Sequence, residues 1–327
     1  MKQAWFRSAV ATLGICPAAW ANLAMDTVVV TNPGNAPDTR YSTPGYGDVG
    51  YTFAMGKFEV TAGQYAEFLN AVAAMDTYGL YNTQMWFRTE GCKIQRSGSP
   101  GSYVYSVPAD WAYRPVNFVS WGDAARFANW MHNGQPDGPQ GLSTTEGGSY
   151  SLNGATSDTA LLAVTRSPSA SWVIPSENEW YKAAYHQNDG PTNHYWDWTT
   201  RTNDLPSNDL VDPDPGNNAN VYDNDYTIGS PYYRTPGGEF ENSFGPYGAF
   251  DQGGNVAEWH EGIIGSNRGV RGGAFDRAIG LMLAHVRDIS LPTGEHHGTG
   301  FRLAWVPEPS PLALLALGSI AILRRMR

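Results

Sequence analysis

Apolar positions along the 327-residue chain fall in short runs between long polar stretches. From Tyr51 to Val60 large apolar and polar residues alternate, with Phe53, Met55 and Phe58 among the large ones, which predicts a strand. Thr61-x-x-Gln64 follows as a capping box, in which each side chain accepts a hydrogen bond from the other residue's backbone amide. Tyr65, Phe68, Leu69 and Val72 then recur at helical spacing, so a helix with one buried face is predicted. A second helix opens at Ser120, with Trp121, Ala124, Ala125, Ala128 and Met131 on its apolar face. Ser176-x-x-Glu179 caps a third, with Trp180, Ala183 and Ala184 facing inward. Glu177 and Glu179 lie in its first turn, where the helix dipole favours negative charge, so capping accounts for both. Short buried strands are predicted at Trp172–Ile174 and at Gly300–Ala304.

The stretches between these elements have no period. Residues 32–50 form a polar, Pro/Gly-rich lead, and 78–112 is a Gly/Ser-rich insertion or long loop. Residues 187–249 are dense in Asn, Asp, Pro, Gly and Tyr. Their many Trp and Tyr residues predict packed, ordered loops rather than low-complexity disorder. The whole chain, with 37 Gly, 12 Trp and 18 Tyr but only 16% charged residues, reads as loop-rich and globular. Its formal charge is −10 and its body holds no Lys/Arg cluster, which argues against a nucleic-acid surface.

Gly253-Gly254-Asn255-Val256-Ala257-Glu258-Trp259, followed by Arg271-Gly272-Gly273, is the most distinctive stretch. Glycines allow tight, non-repetitive backbone, and Asp251, Asn255 and Glu258 place oxygen atoms as a calcium-holding loop needs. A polar turn with Trp259 buried behind it satisfies the same spacing. No nucleophile elbow, phosphate loop or zinc-protease helix occurs.

Both ends read as addresses. Lys2 and Arg7 precede an apolar run from Ala9 to Trp20 and the small-x-small sequence Ala19-Trp20-Ala21, the layout of a secretory signal cut after Ala21. At the other end Pro307-Glu308-Pro309 leads into the apolar Leu312–Leu323 and then Arg324-Arg325-Met326-Arg327. This order resembles the Pro-Glu-Pro sorting signal of exopolysaccharide-producing Gram-negative bacteria, which implies processing by an exosortase in the inner membrane. A tail anchor is the alternative, but the apolar run falls short of the roughly 20 residues that span a bilayer. Trimming both ends removes Lys2, Arg7, Arg324, Arg325 and Arg327 and no acid, so the mature chain is more acidic still. Cys16 lies in the signal, leaving Cys92 alone in the mature chain, without an intrachain disulfide partner.

Six pieces in order carry a resemblance: Met55-Gly56-Lys57-Phe58-Glu59-Val60-Thr61, Pro115-Val116-x-x-Val119-Ser120-Trp121-x-Asp123-Ala124, Pro175-Ser176-x-x-Glu179-Trp180-x-x-Ala183-Ala184, Gly254-Asn255-Val256-x-Glu258-Trp259, Arg271-Gly272-Gly273 and Gly300-Phe301-Arg302. Together they resemble the formylglycine-generating-enzyme (sulfatase-modifying factor) family. The resemblance implies an α+β fold related to C-type lectins, low in regular structure. The domains expected are a signal peptide (1–21), a lead (22–50), the family domain (51–305) and the sorting signal (306–327).

The family's best-known members oxidise a substrate cysteine with two copper-binding thiols, and soft thiolates suit copper(I). The resemblance places those thiols between Arg271-Gly272-Gly273 and Gly300-Phe301-Arg302, near Ile279 and Ala284 when counted back from Arg287. That interval has no cysteine here, so copper chemistry is not expected. The resemblance also implies structural calcium held by the Asp251 and Glu258 side chains and the Gly254 and Val256 carbonyls, with a looser second set at Asn220 and Val221 near Asp223 or Asp225. His285 falls in the cleft interval and is the candidate pocket histidine. Glu295-His296-His297 and His260-Glu261 are further candidate metal ligands, set against plain exposure. Two functions follow as expectations. One is a surface module binding an exopolysaccharide or other cell-surface ligand, exported across the inner membrane and meeting the membrane only through its tail. The other is a divergent oxidoreductase of the family with a different metal site.

Overall fold

The structure, a computed structural model, describes residues 23–307. The expected signal peptide and the apolar part of the expected sorting signal lie outside the described residues. Helices are α1 (Ala62–Val72), α2 (Gln84–Phe87), α3 (Trp121–His132), α4 (Asp158–Leu162) and α5 (Glu177–Tyr185). Strands are β1 (Thr27–Val30), β2 (Phe53–Gly56), β3 (Gln95–Ser97), β4 (Val104–Ser106), β5 (Trp172–Val173), β6 (Tyr222–Asp223), β7 (Asp225–Tyr226), β8 (Ala257–Ile264), β9 (Asn267–Arg271), β10 (Asp288–Ser290), β11 (Thr299–Gly300) and β12 (Ala304–Trp305).

Local chemistry sets the three longer helices. At α1 the Thr61 hydroxyl accepts the Gln64 amide at 3.2 Å, and the Gln64 side chain accepts the Thr61 amide at 3.0 Å. Ser120 with Asp123 and Ser176 with Glu179 close the same box at α3 and α5. The buried faces of α1 and α3 meet through Phe68 and Phe127, whose ring centroids lie 5.2 Å apart edge to face. Phe301 packs onto Phe127 at 5.4 Å. Each such side chain, once fully buried, contributes about 1.5–3 kcal/mol.

Two four-stranded sheets flank this core. One runs β1-β2-β12-β5, antiparallel throughout. The other runs β10-β9-β8-β11, with β11 parallel to β8. Because β1 pairs with β2 from Thr27↔Gly56 to Val30↔Phe53, the fold takes in part of the stretch expected to be only a lead.

Three other expectations change. The strand expected at 51–60 stops at Gly56, after which the Lys57 amide turns to the Asp26 carbonyl. The single strand expected at Gly300–Ala304 is two. Thr299–Gly300 pairs in the second sheet and Ala304–Trp305 in the first, and fully buried Phe301, Arg302 and Leu303 cross between them. The 78–112 excursion carries α2 and the β3/β4 hairpin. Residues 187–249 are, as expected, almost entirely ordered loop, broken only by the two-residue strands β6 and β7.

Candidate functional site

The glycine stretch leads directly into β8, and its acidic residue points inward. Glu258 is fully buried and meets Arg302 in a two-point pair, with both N–O distances 2.6 Å. Trp180 of α5 donates its indole N–H to the same carboxylate at 2.7 Å. Arg302 also donates to the carbonyls of Gly56 and Phe250, each at 2.9 Å, so one guanidinium joins β8, the end of β2 and the loop before Asp251. Such a two-point, charge-assisted pair is the strongest kind of side-chain hydrogen bonding.

Two more carboxyls feel this arginine. Glu59 is 2% exposed, and neither of its oxygens has a hydrogen-bond partner among the described residues. Burial, then the neighbouring Asp251 charge, pushes its pKa well above the carboxylate range. Asp251 accepts the Gly238 amide at 2.7 Å and is pushed up to about 6 by burial, with Glu258 adding repulsion. Asp251 and Glu258 thus face one guanidinium, and a cation bound beside them would also favour ionisation of Glu59.

Asp251, Gly254, Val256 and Glu258 are the residues that would hold calcium here, and both Glu258 oxygens already accept from Arg302 while Asp251 accepts the Gly238 amide. Among the described residues the Gly254 and Val256 carbonyls accept no hydrogen bond. At Gly254, φ is +87° and a Cβ would stand 2.5 Å from the Asn220 carbonyl oxygen, so only glycine fits there. The described residues gather no three His, Cys, Asp or Glu side chains around one point, so carbonyls and water would supply the majority of the six to eight oxygens calcium takes. The looser second set is partly engaged, although the buried Asn220 Oδ1 has no hydrogen-bond partner among the described residues. The Val221 carbonyl is taken by Thr227 and Asn208. Asn220 donates its amide to Asn255, while Asp223 and Asp225 lie exposed on the β6/β7 hairpin.

A neighbouring region is open. A groove of about 220 Å³ borders the β10-β9-β8-β11 sheet. Ala257, Val270, Arg271, Asp288, Ile289 and Thr299 of the strands line it, together with Arg277, Leu281 and Val286 from the chain between β9 and β10 and with His296 and Gly298. Arg271 is committed to structure, with two N–H groups on Glu177 at 2.9 and 2.7 Å and a third on the Ala284 and Val286 carbonyls. Arg277 is free by comparison, its side chain 53% exposed and 3.9 Å from Asp276. Asp276 itself is held by His297 at 2.7 Å; burial would raise its pKa, but that hydrogen bond keeps it low. Partial burial lowers the His296 pKa, with neighbouring His297 and Arg277 acting in the same direction.

Several candidates stand elsewhere than the sequence suggested. His285 is exposed and packs on Tyr41, ring centroids 5.1 Å apart, so the groove's histidine is His296 instead. Glu295, His296 and His297 diverge: Glu295 turns to Asn82 and Asp123, His296 to the groove and His297 to Asp276. His260 and Glu261 also part. His260 is buried in the β8/β9 bulge, pushed down to about 3 by burial, with space for its ring left by Gly269. Glu261 pairs with Arg166 at 2.8 Å and accepts the Tyr150 hydroxyl at 2.6 Å. Where thiols were sought, Ile279 packs beside Met282, and Ala284 is buried among Trp180 and Tyr185. Cys92 is fully buried in the main core. Arg277 and Asp288 were missed by sequence reading, since neither belongs to a motif.

Solved structures resemble the chain to different degrees. The crystal structure of CarF superposes with a TM-score of 0.51 at 21% identity, covering 87% of this chain and 99% of that one. Variable protein 1 of Treponema denticola gives 0.49 at 19% identity over 86% and 95% of the two chains. PvdO from Pseudomonas aeruginosa gives 0.44 at 17% over 87% and 92%. At these identities the likeness to CarF speaks for the fold alone. No curated protein matches the chain. The family profile described as sulfatase-modifying factor enzyme 1-like domain matches residues 21–307, which takes in all of the described residues. This protein therefore belongs to the sulfatase-modifying factor (FGE-sulfatase) family.

Proposed function

We propose that the chain is an exported, ligand-binding member of its family that uses the sheet-face groove and does not oxidise cysteine through copper-bound thiols. The observation that carries this reading is the chain interval part of which lines the groove. From Ala274 to Thr299 it contains no cysteine, and apolar Ile279 and Ala284 stand where the family resemblance seeks thiols. Cys92 is buried in another part of the core and has no second thiol beside it among the described residues. A nucleophilic or metal-binding thiol needs access and a lowered pKa, whereas burial pushes Cys92 up.

Calcium is proposed as a structural ion at Asp251, Gly254, Val256 and Glu258. Bound there, it supplies positive charge to buried carboxyls and orders the glycine loop that starts β8. The exosortase-processed tail is proposed to deliver the protein to the cell surface or matrix.

The test is incubation of the purified chain with a sulfatase-type cysteine peptide, copper and a reductant, followed by mass spectrometry. The expected result is unmodified peptide. Turnover on the order of 1 s⁻¹ or faster would sink the reading.

A further inference from the structure

The groove's free polar groups are matched donors and acceptors of opposite charge. Arg277 offers N–H donors to the groove, and Asp288, also in its lining, keeps one carboxylate oxygen free after accepting the Ile289 amide. Other charges nearby are engaged: Asp276 accepts from His297 through one oxygen, and Glu177 is held by Arg271 and Arg287. A ligand with a strong net charge of either sign would meet an uncompensated like charge. With apolar Ala257, Val270 and Ile289 also in the lining, the site calls for a neutral molecule with apolar faces and a rim of hydroxyls.

A second observation lies beside the groove. The β6/β7 hairpin is tied to the wall by the Tyr222 amide, which donates to the Arg277 carbonyl at 3.0 Å. Its two tyrosines, Tyr222 and Tyr226, stand edge to face with centroids 5.3 Å apart, and each keeps 39% of its surface exposed. They are held from behind, since Tyr226 packs on Tyr233 at 5.3 Å and Tyr233 on Phe275 at 5.7 Å. Exposed rings fixed by further rings form a rigid ledge with little side-chain freedom left to lose on binding. The groove is smaller than the roughly 300–1,000 Å³ of drug-sized sites, so it takes one compact unit while the rest of a longer ligand lies along the ledge.

We propose that this composite site binds a neutral pyranose glycan, with one sugar in the groove between Arg277 and Asp288 and its neighbour stacked on Tyr222 and Tyr226. The proposal rests on the ligand-binding reading above and names the class of ligand for the same groove. Pyranose rings present apolar C–H faces to aromatic side chains and vicinal hydroxyls that both donate and accept, which is the pairing Arg277 and Asp288 supply.

The experiment is isothermal titration of the full chain with neutral hexasaccharides of gluco, manno and galacto configuration, and with hexagalacturonate as the charged control. At least one neutral sugar is expected to bind with a dissociation constant on the order of 1 mM or tighter. Arg277→Gln and Tyr226→Ala, each with an unchanged melting temperature, are expected to weaken it about tenfold or more. Equal or tighter binding of hexagalacturonate would overturn the proposal, as would neutral-sugar binding that survives both substitutions. Failure of every sugar to bind overturns it too, yet leaves the function reading in place so long as the cysteine peptide stays unmodified. Peptide turnover instead removes the reading on which the proposal rests.

Discussion

The Glu258–Arg302 centre and the groove hold similar residue types and use them oppositely. In the centre the pair is wholly buried, and every Arg302 contact crosses between distant parts of the chain. In the groove Arg277 and Asp288 are exposed and make no comparable tertiary bond. A buried pair exists to be kept intact, because removing one partner strands the other in low dielectric. An exposed, unengaged pair costs the fold little and is available to a ligand. The residues that identify the family therefore belong to the framework, and those proposed to meet a ligand lie outside every motif.

The largest expected effect is at the framework. Glu258→Ala leaves Arg302 buried without its counter-charge and should cost about 3–5 kcal/mol, read as a lower midpoint in urea unfolding. The same substitution tests calcium. In the wild type, a chelator should lower the melting temperature, and calcium at a hundredfold excess over its dissociation constant should restore roughly 2.7 kcal/mol. Asp251→Asn should abolish that response while keeping the Arg302 pair. A wild-type melting curve indifferent to chelator would remove calcium from the account.

A smaller effect, dependent on pH, is expected where the framework touches the groove. Glu295, next to His296, faces Asp123 at the start of α3, with Asn82, Ser120, Arg126 and Asp76 around the pair. Burial, then the Asp123 charge, pushes Glu295 up to about 8; Asp123 is pushed up to about 6, mainly by burial. Folded-state pKa values above the unfolded ones mean that the folded chain binds more protons. The pair's stabilisation is thus full below about pH 4 and is lost as pH rises through 6 to 8. Glu295→Gln should raise the melting temperature at pH 8.5 and give no gain at pH 4. An equal gain at both values would break the assignment.

Smallest of all is the thermal effect of Arg277→Gln, expected within about 0.5 kcal/mol of wild type. A loss comparable to that of Glu258→Ala would erase the contrast between the two regions.

How far this was legible in sequence follows the same division. Thr61/Gln64, Ser120/Asp123 and Ser176/Glu179 act within four residues, so spacing alone located three helices. The eight-residue β8 was not legible. Its Ala-Glu-Trp-His-Glu-Gly-Ile-Ile run lacks alternation because Glu258, Trp259 and His260 are all buried, and a bulge follows. The split of Gly300–Ala304 between two sheets is a tertiary fact that no local pattern encodes. Glu258 was visible as an oxygen-bearing residue, but its partner Arg302 lies 44 positions away. The groove was least legible of all. Its lining comes from β8, β9, β10, β11 and the chain between them, and His285, chosen by interval, lies on Tyr41 outside it.

Hydrogen–deuterium exchange of the full chain, with and without saturating neutral hexasaccharide, tests the division of labour most directly. The account predicts added protection confined to residues 222–226, 267–271, 276–286 and 288–299, with the 251–256 loop unchanged. Protection centred on 251–256, or none in β9 and β10, would contradict it.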